Sequence, residues 1–364
     1  MDMISQLSDD LLIQILSLVP MKQVIMATCC LSKRWLLLWS LLPELYYDDI
    51  SYGDENYAMF TQFVYRSLMS NKAPVLESLY FDLGHKYQAI DVANWIETAV
   101  VCHRVKAITV NLRENGTMIS LPRSMLYTCE TLEALHLFGC FRLDIPFSVC
   151  LPSLKNLALG DVDYADNKES SLTRLLSGCP NIETLFLSMY NYSRDQKGSS
   201  GFVIDVPSLR GLYIRDDFFD GMIFRNLVDL TLYTCAQGWW DLVTHMLQDS
   251  PKLRSLKLND EHYLGRKSIE TPDNWKRPSS VPMCLLHSFE FFKWNGYKGR
   301  RGDVDMATYL LTNATRLKKS IFLSQPHDDS ESDRIHRDLY NVQAASPHHM
   351  FLSQERNKRQ RVET

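Results

Sequence analysis

One six-residue pattern, apolar-x-x-apolar-x-apolar, returns along the 364-residue chain and leaves little choice but a stack of short strands. It appears at Leu76/Leu79/Phe81, Val105/Ile108/Val110, Leu132/Leu135/Leu137, Leu154/Leu157/Leu159, Ile182/Leu185/Leu187, Leu209/Leu212/Ile214, Leu227/Leu230/Leu232 and Leu253/Leu256/Leu258, with starts 29, 27, 22, 28, 27, 18 and 26 residues apart. A single unit of that length cannot bury its own leucines, whereas a stack buries a continuous core. Alternation along each strand sends two apolar residues inward and leaves the residue between them on the open face.

The spacing predicts irregular leucine-rich repeats, in which a helix or turn returns outside each strand. Only Cys140 and Cys235 fall where regular repeats place Asn or Cys at the turn, so leucine packing has to carry the rest. The open positions are Ala134 or His136, Asn156 or Ala158, Thr184 or Phe186, Gly211 or Tyr213, Asp229 or Thr231, and Ser255 or Lys257, without a basic cluster. An unrelated α/β domain with leucine-rich strands is the competing reading, and the sustained period argues against it.

The first forty-odd residues follow a different rule. Ser8 stands before Asp9 and Asp10, placing a hydroxyl cap and two carboxylates at the positive end of a helix. Leu11, Leu12, Ile15, Leu16 and Val19 recur at helical spacing until Pro20. A second helical pattern, about Gln23 to Trp39, is apolar almost all round through Val24, Ile25, Leu31, Trp35, Leu38 and Trp39. So small a unit cannot bury all of this surface, and some of it calls for a partner. A plain helical hairpin closing a larger domain is the alternative.

Leu7, Asp10, Leu11, Leu12, Ile15, Leu16, Ser17, Val19 and Pro20, followed by Leu31-Ser32-Lys33-Arg34-Trp35 and Trp39, resemble the F-box from end to end. The departure is Ser8, where that family carries proline. The resemblance implies that Leu7, Ser8, Leu11, Leu12, Ile15, Leu16, Leu31, Ser32 and Trp35 bind a Skp-type adaptor, and through it a cullin scaffold. The segment LPSLKNLALGDVDY and the later SSLTRLLSGCPNIETLFL are similar to the central repeats of plant F-box proteins. Residues 281–323 resemble the FBD region that follows those repeats, through Val281, Pro282, Cys284, Leu285, Leu286, Glu290, Trp294, Tyr297, Gly299, Tyr309, Leu310, Asn313, Ala314, Leu317 and Lys318. There Leu286/Phe289/Phe291 is expected to form one more strand, Gly296 and Gly299 a turn, and Met306 to Lys318 an amphipathic helix capping the array. Where the family closes on C-Q-L-x-F, this chain has SPHHMFLS.

The expected organisation is α+β and multidomain: a helical F-box over 1–45, an irregular α/β repeat solenoid over 46–280, an FBD terminal cap over 281–352 and a disordered basic tail over 353–364. The acidic stretch SQPHDDSESD reads as a surface linker, and Lys358, Arg359 and Arg361 as a solvated terminus or a nuclear-import signal. A net charge of −4 gives no reason to expect nucleic acid as a partner. No apolar run suits a membrane span, and the chain opens on a capped helix rather than a secretory leader, so cytoplasm or nucleus is the expected compartment. The nine cysteines lack C-x-x-C spacing and read as reduced, mostly buried small hydrophobes.

No catalytic, cofactor or metal constellation is present in the pattern: no phosphate loop, nucleophile elbow or H-E-x-x-H helix, and His348 and His349 are adjacent rather than one turn apart. Specificity is expected in the polar loops 191–201 and 259–280. Tyr263, Arg266, Trp275 and Arg277 are the candidate anchors for an unidentified protein substrate, with Trp275 folded back on the repeats as the duller alternative. The resemblance implies a non-catalytic substrate-recognition subunit of a Skp-cullin-F-box ubiquitin ligase. An adaptor-binding scaffold without substrate turnover, and a small-molecule-dependent receptor, remain open beside it.

Overall fold

The computed structural model describes residues 7–19, 34–52, 56–113, 116–121, 126–188, 204–215, 222–234, 238–260, 275–324, 333–335, 337–338, 340 and 350–355. The chain divides into two compact units, 1–182 and 183–364, so the division falls within the repeats.

In the first unit, β1 (Glu44–Asp48), β2 (Ser78–Leu83), β3 (Ala107–Leu112), β5 (Ala134–Phe138) and β7 (Asn156–Gly160) pair in that order, all parallel. Register aligns Leu45, Leu79, Ile108, Leu135 and Leu157 in one row and Tyr47, Phe81, Val110, Leu137 and Leu159 in the next. Both rows are buried. The return segments carry helices Tyr57–Ser70, Ala89–Cys102 and Lys168–Ser177. They also carry a second parallel ladder of β4 (Ile119–Ser120), β6 (Phe141–Leu143) and β8 (Asp163–Tyr164). The Ala89–Cys102 helix buries Val92, Trp95, Ile96 and Ala99, a single stripe at helical spacing. Its Trp95 ring stacks on Phe81 at 5.3 Å and meets Phe60 edge-on at 5.8 Å.

The first repeat starts earlier than the sequence pattern suggests. Leu42, Leu45 and Tyr47 are buried in the same frame as the eight triplets, and β1 straddles the expected boundary at 45. Tyrosine at the third position hides this repeat from a search for aliphatic triplets. The Tyr47 hydroxyl is satisfied inside by Ser67 Oγ at 2.8 Å.

In the second unit, β9 (Thr184–Ser188), β11 (Gly211–Ile214), β13 (Asp229–Tyr233), β14 (Ser255–Asn259), β15 (Phe291–Asn295), β16 (Lys319–Ser324) and β17 (Met350–Glu355) pair in order and parallel. A short outer pair joins β10 (Ile204–Asp205) to β12 (Met222–Ile223). Helices Trp239–Asp249, Met283–His287 and Arg301–Asn313 lie on the return segments.

The C-terminal region corrects the sequence reading in four places. β15 is framed by Phe289, Phe292 and Trp294, all buried, and pairs Leu256 with Phe292 and Leu258 with Trp294. Leu286 belongs to a short helix and Phe291 is half-buried. The run Phe289-Glu290-Phe291-Phe292 offers two frames of period two, and register with β14 selects the second. The last long helix begins at Arg301, where Asp303 accepts a hydrogen bond from the Arg300 amide at 3.2 Å, and ends at Asn313, not at Lys318. Leu317, Ser320 and Phe322 then supply a further buried triplet in β16, with serine in the middle. Finally β17 runs to Glu355, so the strand continues past the expected start of a tail at 353. Gly296 and Gly299 do turn the chain, at φ 81° and 61°, and a Cβ at Gly296 would lie 2.3 Å from Asp260 Cβ.

A charge ladder at the residue before each strand was not read from the sequence. It runs Glu77, Lys106, Glu133, Lys155 in the first unit and Glu183, Arg210, Val228, Arg254, Glu290, Lys318 in the second. Lys106 meets Glu77 at 2.9 Å, Lys155 meets Glu133 at 2.8 Å and Lys318 meets Glu290 at 2.8 Å. The hydrogen bond from Lys155 and its charge, with Lys106 beyond, hold the Glu133 carboxyl below its ordinary range. Such alternation opposes misordered stacking of otherwise similar repeats, because a swapped strand sets like charges side by side.

Candidate functional site

Two surfaces hold the candidate residues: the N-terminal helical module and the strand faces opposite the helices. In the module, Ser8 caps the Asp9–Ser17 helix, its Oγ accepting from the Leu11 amide at 3.4 Å. Arg34 straps the second segment to the first. Its Nε donates to Asp9 Oδ1 at 2.8 Å and its Nη2 to the Leu7 carbonyl at 2.7 Å. From there Trp35–Leu38 forms a helical turn that passes through Trp39–Leu41 into β1. The first repeat anchors it: the Lys72 amide donates to Ser40 O at 2.6 Å and Asn71 Nδ2 to Leu42 O at 2.9 Å.

The expected adaptor residues separate into two groups. Leu12, Leu16 and Trp35 are buried within the chain, where they hold the module together, so they present no surface to a partner. Leu11 and Ile15 remain 47% and 42% exposed, and Leu18 and Leu37, which the sequence reading did not select, are 86% and 62% exposed. Ser8 is exposed and Leu7 half-buried. Leu31 and Ser32 lie outside the described residues. The signal that separates the groups is helical phase: Leu12 and Leu16 lie one turn apart on the inner side, and Leu11, Ile15 and Leu18 share the other.

The expected substrate anchors fare differently. Tyr263 and Arg266 lie outside the described residues. Trp275 is buried, with Nε1 donating to Thr244 Oγ1 at 3.1 Å and its ring edge-on to Tyr309 at 5.4 Å. Its partners are on the Trp239–Asp249 and Arg301–Asn313 helices, so it is a core residue of the outer layer and not a recognition anchor. Arg277 faces Asp305 at 3.6 Å on the same layer.

The open faces of the strands carry the polar chemistry. In the first unit Tyr46 and Tyr80 stack at 4.9 Å with an interplanar angle of 14°, Asn111 Nδ2 donates to the Tyr80 hydroxyl at 2.5 Å, and Thr109 Oγ1 lies 3.2 Å from His136 Nδ1. Burial lowers the His136 pKa. In the second unit the corresponding row is Phe186, Tyr213, Thr231, Lys257, Lys293 and Ile321. Lys293 entered no sequence-based list, because the wrong frame for β15 placed it facing inward.

Among the described residues no group of three or more His, Cys, Asp or Glu is placed to hold a metal ion, and no helix is long and apolar enough to cross a membrane. Of the six described cysteines, none in a disulfide, Cys129, Cys179 and Cys284 are buried. Burial pushes the Cys179 and Cys284 thiols up to about 12. Cys102 and Cys150 are exposed and Cys140 is intermediate, so burial accounts for only half of this set.

Comparison with known proteins places this architecture. A family model for the FBD region matches residues 276–322, and a model of the LRR repeats of the FBD-associated F-box protein At5g56370 matches residues 92–220. The F-box/FBD/LRR-repeat protein At4g26340 of Arabidopsis thaliana is 44% identical over 417 aligned residues, spanning 95% of this chain and 98% of that protein. The putative F-box/FBD/LRR-repeat protein At4g26350 is 39% identical over 95% of this chain and 98% of its own length, and At4g00160 is 34% identical over 96% and 94%. With identity of this level along nearly the whole of both partners, the chain belongs to the F-box/FBD/LRR-repeat family.

Proposed function

We propose that this chain is the substrate-recognition subunit of a Skp-cullin-F-box ubiquitin ligase. The observation that carries the reading is the uncovered apolar row Leu11, Ile15 and Leu18, with Leu37, on a module whose inner residues Leu12, Leu16, Trp35 and Leu38 are already buried. Exposed leucines in this number are costly in water unless a partner covers them. A Skp-type adaptor is that partner, and family membership supports it. The repeat surface then holds a protein substrate.

The chemistry asked of the chain is placement. Holding an acceptor lysine near a ubiquitin-charged conjugating enzyme turns a bimolecular encounter into an effectively intramolecular one. In this reading the nucleophile is the substrate amine, and burial holds the Cys179 and Cys284 thiols of this chain protonated.

The test is co-capture from cells with the proteasome blocked, comparing the intact chain with Leu11→Glu/Ile15→Glu. Removing residues 1–45 is a poorer comparison, because it deletes two of the five residues of β1. Adaptor and cullin should be lost from the variant while bound substrates remain. Equal recovery of the adaptor by a folded variant would refute the reading.

A further inference from the structure

The open face of the second unit carries a charge pattern that its own packing does not use. Register sets Lys257 of β14 beside Lys293 of β15, and Lys319 of β16 stands opposite Phe291 on the same face. All three are half-buried. One step along, register pairs Asn259 with Asn295. Strands β11, β13, β14, β15 and β16 contain these three lysines and a single carboxylate, Asp229, which is in register with Ser255 rather than with a lysine. The neighbouring charges are committed elsewhere: Asp260 to Lys298 at 2.9 Å, and Arg215 to the ring of Tyr233 at 5.0 Å.

Like charges on adjacent strands repel. At the strand entries the chain answers each lysine with a carboxylate, as in Lys318 with Glu290. On the open face Lys257 and Lys293 have no such answer among the described residues. A like-charged pair with the half-buried Asn259 alongside, and no carboxylate set against it among the described residues, is suited to an anion from outside.

We propose that Lys257 and Lys293, flanked by Asn259, receive an acidic, carboxylate-bearing stretch of a protein substrate. This rests on the substrate-recognition reading and gives that substrate a chemical class. An extended segment sets alternate side chains roughly 6.6 Å apart, within reach of two flexible ammonium groups on neighbouring strands. Each ammonium then meets a carboxylate instead of its neighbour's charge.

The experiment uses the full chain and a fluorescent Gly/Ser peptide bearing four spaced glutamates, with a glutamine twin and a phosphoserine twin. The glutamate peptide should bind and the glutamine twin should not. Lys257→Gln/Lys293→Gln should weaken binding on the order of tenfold or more, the change that loss of about 1.4 kcal/mol gives. Lys257→Met/Lys293→Met, which keeps the aliphatic stems, should do the same, and Lys318→Gln should change it by less than about twofold. No binding by the intact chain, or equal binding by a folded double variant, overturns the proposal. Binding of the phosphoserine twin alone overturns it in favour of a phosphate partner. Adaptor capture measured on the same samples separates the two readings. If the intact chain captures no adaptor yet binds the glutamate peptide, the ligase reading fails and the surface stands; if it captures adaptor and ignores the peptide, the reverse holds.

Discussion

The two units use the same repeat and differ in what their open faces carry. Strands β1, β2, β3, β5 and β7 hold Glu44, Asp48 and Asp82 with no lysine or arginine, around the stacked Tyr46 and Tyr80. Strands β11 and β13 to β16 hold Lys257, Lys293 and Lys319 against Asp229 alone. Their inner rows are alike in kind: aliphatic side chains and aromatic rings, with Ser320 the one polar member among those described, all buried. Period two explains how both can be true. One parity of each strand is fixed by the core, and the other is free to be acidic in one unit and basic in the next.

The sharpest way to break this comparison is to attack the parity itself. Phe81→Ala in the first unit and Phe292→Ala in the second, both buried on the inner side of their strands, should each cost about 3–5 kcal/mol, measured by denaturant unfolding. Phe291→Ala, one residue away on the open face, should cost less than about 1 kcal/mol. Equal losses at Phe291 and Phe292 would mean that β15 has no defined inner side.

A second effect is confined to the first unit. Burial lowers the pKa of His103, whose Nε2 lies 3.0 Å from the Leu68 carbonyl, and of His136 on β5. For a histidine whose folded pKa lies below the unfolded one, the stabilising contribution is present above about pH 6.5 and is lost as pH falls through the folded value. Acidification from about pH 7.5 to 5.5 should therefore speed hydrogen exchange in β3 and β5, and His136→Gln should reduce that response. An undiminished response in the variant would remove His136 as its source.

The smallest effect tests the entry ladder. Lys155→Glu should cost about 0.2–1 kcal/mol, since the pair with Glu133 is exposed, and added salt should shrink the difference. The Glu133 contribution should likewise persist at neutral pH and fade as pH drops below the usual carboxylate range, because its folded pKa is depressed. A salt-independent loss would point to altered packing instead of charge.

What the sequence revealed followed from how local the information was. Eight triplets were legible because leucine, isoleucine and valine, with Phe81 the one aromatic ring, stand at the inner parity and leave one reading. The repeats at Leu42/Leu45/Tyr47 and Leu317/Ser320/Phe322 were missed because tyrosine and serine stand at inner positions, and only the neighbouring strand shows that they face in. β15 failed for the opposite reason, an excess of aromatic residues that fits two frames. The Ser8 cap was legible because capping is local. The division between Leu11/Ile15 and Leu12/Leu16 depends on which side of the helix meets the Trp35 segment. Trp275 was left open between an anchor and a residue folded back on the repeats, because the partners that decide for the second, Thr244 and Tyr309, lie more than thirty residues away in either direction. The charge ladder was in plain sight at the second position of most triplets, with Pro43 and Val228 as exceptions, but its meaning required the strands to be placed side by side.

The central claim is that the first unit's helical module docks the adaptor through residues its own core leaves uncovered. Titration calorimetry of a purified Skp-type adaptor against the intact chain, Leu11→Ala/Ile15→Ala and Lys257→Gln/Lys293→Gln tests it directly. The lysine variant should bind as the intact chain does. The leucine-isoleucine variant should keep its unfolding midpoint close to that of the intact chain and lose about 2 kcal/mol or more of binding, roughly thirtyfold in affinity. Full adaptor affinity in a folded Leu11→Ala/Ile15→Ala chain would contradict the account.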